Sequence, residues 1–308
     1  MNVRELKSRN KISLGQDGNA LVNLIVFNVV IFVLLKFIYV IYLVSDYNLP
    51  AYYKNIFNWF ILPADISSLA SRPWTVLTYM FSHESFFQLL GNVFFLWSFG
   101  YILQELTGNR KLIPIYIYGG FAGAFFYVLC YNIFPALQPE LPTALLVGAN
   151  ASVMAVAVST TAVSPDYRIF PMINGGIPLW ILTLIYVIID FSSIYQSDPP
   201  KFVAHIAGAA LGFLFIYQMR KGKDWSEWMN NFFDWMENLF NPDKKARSKA
   251  AKDEFFYKVN KAQPFKKTPN VTQRRVDEIL DKINQKGFHF LTDEEKDILK
   301  RAAKGDDL

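Results

Sequence analysis

Cysteine and histidine are nearly absent from this chain of 308 residues, which has one of the first and three of the second. Cys130 therefore cannot close an internal disulfide, no oxidative framework holds the fold, and its apolar setting suits a buried free thiol. His83, His205 and His289 are too few and too scattered to point to a metal, and no motif asks for a cofactor. Charge is scarce in the first two thirds: of 31 Lys and Arg, 11 fall in residues 1–219 and 20 in residues 220–308. Apart from Asp190, near a helix end, there is no intramembrane carboxylate chain and no paired inverted repeat, which argues against a transporter. The net charge of +5 arises in a tail whose bases are mixed with acids, so nucleic acid is not an expected partner.

What the chain has in abundance is apolar surface. Apolar residues make up 52% and aromatic residues 17%, unusual for a soluble protein. Six stretches are long enough to read as membrane spans, near 21–45, 85–105, 112–134, 146–163, 178–195 and 201–219, the shorter ones requiring a locally thinned bilayer. The first follows Arg4, Lys7, Arg9 and Lys11, but it is too long for a signal peptide and lacks a small-residue cleavage site, so it reads as an anchor. The fourth and sixth are rich in Gly and Ala, which permits close helix approach and makes them expected central neighbours.

Arg110 and Lys111 lie between spans two and three, Arg168 lies between four and five, and the basic tail follows six, whereas the loops between three and four and between five and six carry only Lys201. By the positive-inside rule both termini are expected in the cytoplasm. The loop 46–84 is then external, and Tyr52, Tyr53, Phe57, Trp59, Phe60 and Trp74 suit a segment lying partly in the interface.

Two segments carry polar residues into these spans. One opens Gly148-Ala149-Asn150-Ala151-Ser152, and the other reads Ala204-His205-Ile206-Ala207-Gly208 and continues to Gly212. A histidine among small residues on a spanning helix is a functional candidate because polar groups are costly in hydrocarbon. Arg72-Pro73-Trp74 lies in the first loop, Thr78-Tyr79-Met80-Phe81-Ser82-His83 leads into span two with Gln88 and Asn92, and Glu105, Gly108 and Arg110 mark its far end. Gly119-Gly120-Phe121-Ala122-Gly123-Ala124 lies in span three.

Together these motifs, over about residues 20–220, resemble the rhomboid family of intramembrane serine proteases. The resemblance implies an all-α membrane protein with a six-transmembrane-helix bundle, and a catalytic pair formed by a Gly-x-Ser serine and the histidine matched by His205. It further implies packing glycines at Gly148, Gly208 and Gly212, and oxyanion groups at the positions of Gln88 and Asn92. Two positions depart from the pattern. Gln88 stands where a histidine is expected, a change an amide donor can tolerate. Asn150 stands at the nucleophile position, and an amide has no hydroxyl for His205 to activate.

Ser152 is the alternative nucleophile, but two residues on it should face away from Asn150 on a helix, and Ser159 lies about 10 Å deeper. A small packing residue bonded to the preceding turn is the simpler reading of Ser152. His205 and Asn150 are expected to satisfy one another as a buried polar clamp, and Asn92 and Gln88 to act as a polar stripe or as interhelical glue.

In the tail, Trp225, Trp228, Met229, Phe232, Trp235, Met236, Leu239 and Phe240 recur at helical spacing over 224–240, predicting an aromatic-faced helix on the membrane surface, with a protein groove as the rival partner. Residues 241–270 read as a charged linker. Val276, Ile279, Leu280 and Ile283 mark a helix stopped by Gly287, and Thr292 with Glu295 forms a capping box before a second helix with Ile298, Leu299 and Ala302. This small helical hairpin resembles the cytoplasmic module of some bacterial rhomboid-like proteins.

The expected organisation is a cytoplasmic N-terminus at 1–20, a membrane domain at 21–220, an interfacial helix and basic linker at 221–270 and a cytoplasmic hairpin at 271–308. The expected function is that of a proteolytically inactive rhomboid-like protein binding transmembrane segments of clients in a bacterial plasma membrane. Its other partners would be the lipid bilayer and a cytoplasmic partner of the hairpin. The alternative is an active endopeptidase using Ser152 with His205.

Overall fold

The computed structural model describes residues 19–45, 49–169, 175–194, 198–240 and 273–304. The described chain is mostly helical: α1 (Ala20–Val44), α2 (Leu49–Asn55), α3 (Ile66–Ser71), α4 (Thr75–Thr78), α5 (Phe86–Thr107), α6 (Leu112–Ile133), α7 (Asn150–Val163), α8 (Leu179–Ile194), α9 (Pro199–Arg220), α10 (Glu227–Phe240), α11 (Gln273–Lys286) and α12 (Asp293–Lys304). Two short antiparallel pairs join β1 (Leu62–Pro63) to β2 (Leu145–Leu146) and β3 (Arg168–Ile169) to β4 (Ile177–Pro178). The charged linker 241–270 lies outside the described residues, as do residues 1–18.

All six apolar stretches are helical. Four helices, α1, α5, α6 and α9, are long and apolar enough to cross a membrane. Helices α7 and α8, of 14 and 16 residues, are shorter, about 21 and 24 Å at 1.5 Å per residue. Side chains on the outer faces are large and apolar, among them Phe37, Phe94, Phe125, Ile188 and Phe213. Such a surface suits hydrocarbon as solvent.

Glycines decide how the centre packs. α7 is wedged between α6 and α9, its most extensive partners. A Cβ at Gly208 would lie 2.2 Å from the Ala151 carbonyl oxygen, and one at Gly212 would lie 2.3 Å from that of Ala155. The two backbones therefore touch, a contact that only missing side chains permit. The far end of α7 is closed by Arg220, whose guanidinium donates to the Ala162 and Val163 carbonyls at 2.5 and 3.3 Å. It thus supplies donors and positive charge where the helix leaves orphan acceptors.

Helix α1 begins at Asn19, whose side-chain oxygen accepts from the Leu21 and Val22 amides at 3.0 and 3.4 Å, an N-cap. The same oxygen accepts from Gln104 at 3.2 Å, and the Ala20 amide donates to Asn109 at 2.8 Å, so the start of α1 is fastened to the end of α5. The first loop folds back onto the bundle. The Tyr52 hydroxyl donates to the Leu35 carbonyl at 3.0 Å, Tyr79 to that of Gly120 at 2.6 Å, and Tyr116 to that of Met80 at 2.7 Å. Tyr52 and Phe57 are consequently buried, unlike the interfacial placement expected for the loop aromatics, whereas Trp59 and Trp74 are exposed and stack at 5.8 Å. The Arg72 guanidinium lies over the Trp59 ring and donates to the Asn58 carbonyl at 2.7 Å. Asp65 caps α3, and the Ser67 hydroxyl followed by Ser68 holds its carboxyl down at about 2.

Contacts divide the chain into two compact units, one through Glu237 and one from Asn238. In the first, Lys111 pairs with Asp224 and Ser226, the Trp228 indole donates to the Tyr118 hydroxyl, and Tyr118 donates to the Trp225 carbonyl at 2.9 Å. The front of α10 is thereby docked on α6, with Trp228 and Trp235 still largely exposed. In the second unit α11 and α12 form the hairpin around Ile279, Leu291 and Ile298, and Leu280 points outward. Gly287 ends α11 with a φ of 88°, a left-handed value that glycine adopts without strain. Thr292 and Glu295 exchange both bonds of a capping box, at 2.8 and 3.3 Å.

Candidate functional site

Gly148 sets the entry to α7. Its φ of 105° is left-handed, and a Cβ there would lie 2.4 Å from the Gln88 side-chain nitrogen, so any other residue would strain the backbone and displace the Gln88 amide. Its amide donates to the Tyr79 carbonyl at 3.1 Å, which ties the turn to the end of the first loop. Asn150, the first residue of α7, follows this turn.

From Asn150 a polar chain crosses four helices. Asn92 on α5 donates through Nδ2 to Asn150 Oδ1 at 2.9 Å, and Asn150 Nδ2 donates to Asp190 Oδ1 on α8 at 3.4 Å. His205 Nδ1 on α9 faces both Asp190 oxygens, at 2.8 and 3.0 Å. The Asp190 and His205 side chains are 2% and 6% exposed, so removing one partner would cost far more than breaking a surface pair. Against an ionised carboxylate, which only accepts, Nδ1 is the donating ring nitrogen.

The expected direct clamp between Asn150 and His205 is therefore corrected: the amide and the imidazole meet on Asp190. A carboxylate with two oxygens serves both donors at once, and its bond to the imidazole is charge-assisted where an amide's would not be. Asp190 is the residue missed by sequence reasoning as a member of the site. Its signal was present, since it is the only charged residue of α8 and a carboxylate in an apolar helix is a site candidate by default.

The remaining candidates lie around this chain. Gln88 Nε2 donates to the Val147 carbonyl at 3.2 Å and its Oε1 accepts from the Glu84 amide at 3.0 Å. The Ser152 hydroxyl is fully buried and reaches Met80 Sδ at 3.8 Å, and a Cβ on Gly120 of α6 would lie 2.7 Å from it. Ser159 donates to the Gly212 carbonyl at 2.9 Å, bonding α7 to α9. His83 is buried, with Nδ1 3.3 Å from the Phe81 carbonyl. Among the described residues no group of three His, Cys, Asp or Glu side chains is placed to hold a metal ion.

Chemically, the polar chain joins an acid, an imidazole and two amides, and none of its four members carries a hydroxyl. A carboxamide nitrogen is not a nucleophile that His205 can activate by taking a proton. The amide donors that could face a developing oxyanion are engaged within the protein, Asn92 on Asn150 and Gln88 on Val147.

Comparison with known proteins places this geometry in a class. Residues 70–222 match the Rhomboid domain, and the chain belongs to the rhomboid family as a membrane protein with several spanning helices. It is 23% identical over 163 residues to RHOMBOID-like protein 12, mitochondrial, of Arabidopsis thaliana, covering 50% of this chain and 48% of that protein. It is 29% identical over 160 residues to Rhomboid-related protein 1 of Caenorhabditis elegans, covering 48% and 40%. The chain thus spans about half or less of the curated relatives it matches. Residues 264–305 match a family of unknown function, DUF6576, over the hairpin.

Proposed function

We propose that this protein is a rhomboid-family pseudoprotease, a six-span membrane protein that binds transmembrane segments of client membrane proteins without cleaving them. One observation carries the reading: the nucleophile position holds Asn150, whose amide is bonded on both sides, to Asn92 and Asp190, while His205 faces a carboxylate. Ser152 lies against Met80 and α6, which speaks against its use as a substitute nucleophile.

The client reading rests on what this arrangement keeps. A costly polar chain is held inside an apolar bundle, whose outer faces on α8 and α9 present Leu184, Ile188 and Phe213 to the hydrocarbon in which client helices lie. Six spans follow if α7 and α8 cross a bilayer thinned to their length. Both termini are then cytoplasmic, with Arg110, Lys111 and Arg168 on that side. A bacterial plasma membrane rests on the resemblance of the hairpin alone.

The test has two arms. The protein purified in lipid is treated with a serine-directed fluorophosphonate, and no labelling is expected; labelling lost on Ser152→Ala would establish the protease instead. A photo-crosslinking residue at Leu184 or Ile188 in native membranes should yield adducts containing spanning segments of other proteins. Adducts with lipid alone would refute client binding.

A further inference from the structure

A lysine sits far inside the first spanning helix. Lys36 follows Ala20 by 16 residues within the uninterrupted α1, about 24 Å along the axis. Among the described residues it has no carboxylate partner. Its ammonium instead lies 5.7 Å from the Phe32 ring centre and 5.1 Å from that of Tyr39, one turn to either side. Neighbouring Val33, Leu34, Phe37 and Val40 are exposed, so this stretch of α1 faces lipid. An uncompensated ammonium in hydrocarbon is costly, and two ring faces offset only part of that cost.

The helix lengths locate the water boundary. α1 starts level with the end of α5, to which Asn19 and Ala20 are bonded. Measured from there, Lys36 lies as far along the bundle as the 16 residues of α8 extend, about 24 Å. A bilayer thinned to α8 therefore brings its headgroups down to Lys36, while the last two turns of α1 stand beyond the hydrocarbon. The first loop covers one face of those turns, with Tyr52 against Tyr39 at 5.2 Å and against Tyr42 at 5.9 Å, while Val40, Ile41, Leu43 and Val44 stay exposed. Tyr39 and Tyr42, half-buried at this level, are what a headgroup interface selects.

We propose that Lys36, with Phe32 and Tyr39, is a binding site for the phosphate of an anionic phospholipid in the leaflet on the Val44 side of α1. The ammonium supplies the charge, the rings hold its stem upright, and the lipid chains lie along Val33, Val30 and Val26, which are exposed on the Ala20 side of Lys36. Lipid is favoured over a dissolved phosphate because the residues around the ammonium face hydrocarbon.

Delipidated full-length protein in detergent would be titrated with phosphatidylglycerol or phosphatidylcholine, and bound lipid counted by native mass spectrometry. The wild type should prefer phosphatidylglycerol. Lys36→Met should lower its occupancy about fivefold, as expected for one cation near a charged headgroup. Lys36→Arg should retain binding, and Lys54→Met, which removes a nearby exposed cation, should leave it unchanged. A wild type with no preference between the two lipids overturns the proposal whatever the variants do, as does unchanged phosphatidylglycerol occupancy in a folded Lys36→Met protein. Inorganic phosphate that displaces the lipid at equal concentration would make this a free-anion site and overturn the lipid assignment.

Discussion

Replacing Asp190 by leucine should be the most damaging single change in the polar centre. It removes the acceptor of the His205 contacts at 2.8 and 3.0 Å and of the Asn150 contact at 3.4 Å. The last is long and contributes little, so the orphaned imidazole dominates. An orphaned buried donor costs about 1–3 kcal/mol, and a charge-assisted hydrogen bond, worth about 1.5–3 kcal/mol, is lost with it, so a loss of about 2–4 kcal/mol is expected. Asp190→Asn keeps an acceptor oxygen and should lose roughly half as much, since the charge-assisted part is what disappears.

The decisive quantity is the coupling. Asp190→Leu with His205→Leu leaves no orphaned imidazole and should cost less than the sum of the singles by about 1–3 kcal/mol. Coupling between Asn150 and His205 should be smaller and should vanish once Asp190 is replaced, because the two meet only through the carboxylate. Reversible unfolding in mixed micelles, followed by tryptophan fluorescence, measures each term. Additive losses for Asp190 and His205, or an Asn150–His205 coupling that survives Asp190→Leu, would refute the relay.

Other consequences are as direct. Gly208→Val should prevent assembly of the membrane domain, because even a Cβ lies 2.2 Å from the Ala151 carbonyl oxygen; overpacking of this kind costs about 1–3 kcal/mol or more, and a wild-type midpoint would refute the contact. Arg220→Leu should lower stability by about 0.5–2 kcal/mol through the uncovered end of α7, whereas Arg220→Lys should lose less. In the hairpin, Lys282 and then the Thr292 amide hold the Glu295 carboxyl below its usual range, so its contribution is present above the ordinary glutamate value and fades as pH falls through the lowered one. Helicity of a fragment spanning the hairpin should fall with acid, and Thr292→Ala with Glu295→Ala should flatten that acid limb. For orientation, single cysteines at Lys223 and Leu137 should react with an impermeant maleimide from opposite faces of sealed vesicles; reaction from the same face would refute six spans.

The helices were legible before the fold because a spanning helix satisfies its own backbone and needs only a run of apolar side chains, which composition reveals locally. The hairpin was legible for a similar reason: Gly287, Thr292 and Glu295 act on the backbone within four residues of themselves. The loop aromatics were not. Tyr52 and Phe57 are buried because the loop returns against α1, and that return depends on contacts such as Tyr52 with Leu35 that no local pattern encodes. The same limit applies to Lys36, which an apolar window absorbs without showing which rings stand beside it.

By itself the sequence determined the family, the central glycines and the amide at position 150, since these depend on which residues are present and at what spacing. The tertiary structure decided who meets whom. It set Asp190 between Asn150 and His205, turned Ser152 against Met80 and engaged Gln88 with Val147. Those partnerships depend on how four helices are rotated and how deeply each sits, which is fixed by backbone contact at Gly208 and Gly212 and by the left-handed turn at Gly148. A hydrogen bond is lost within about an ångström of displacement, so spacing along the chain can propose such contacts and only the packing of the bundle can select among them.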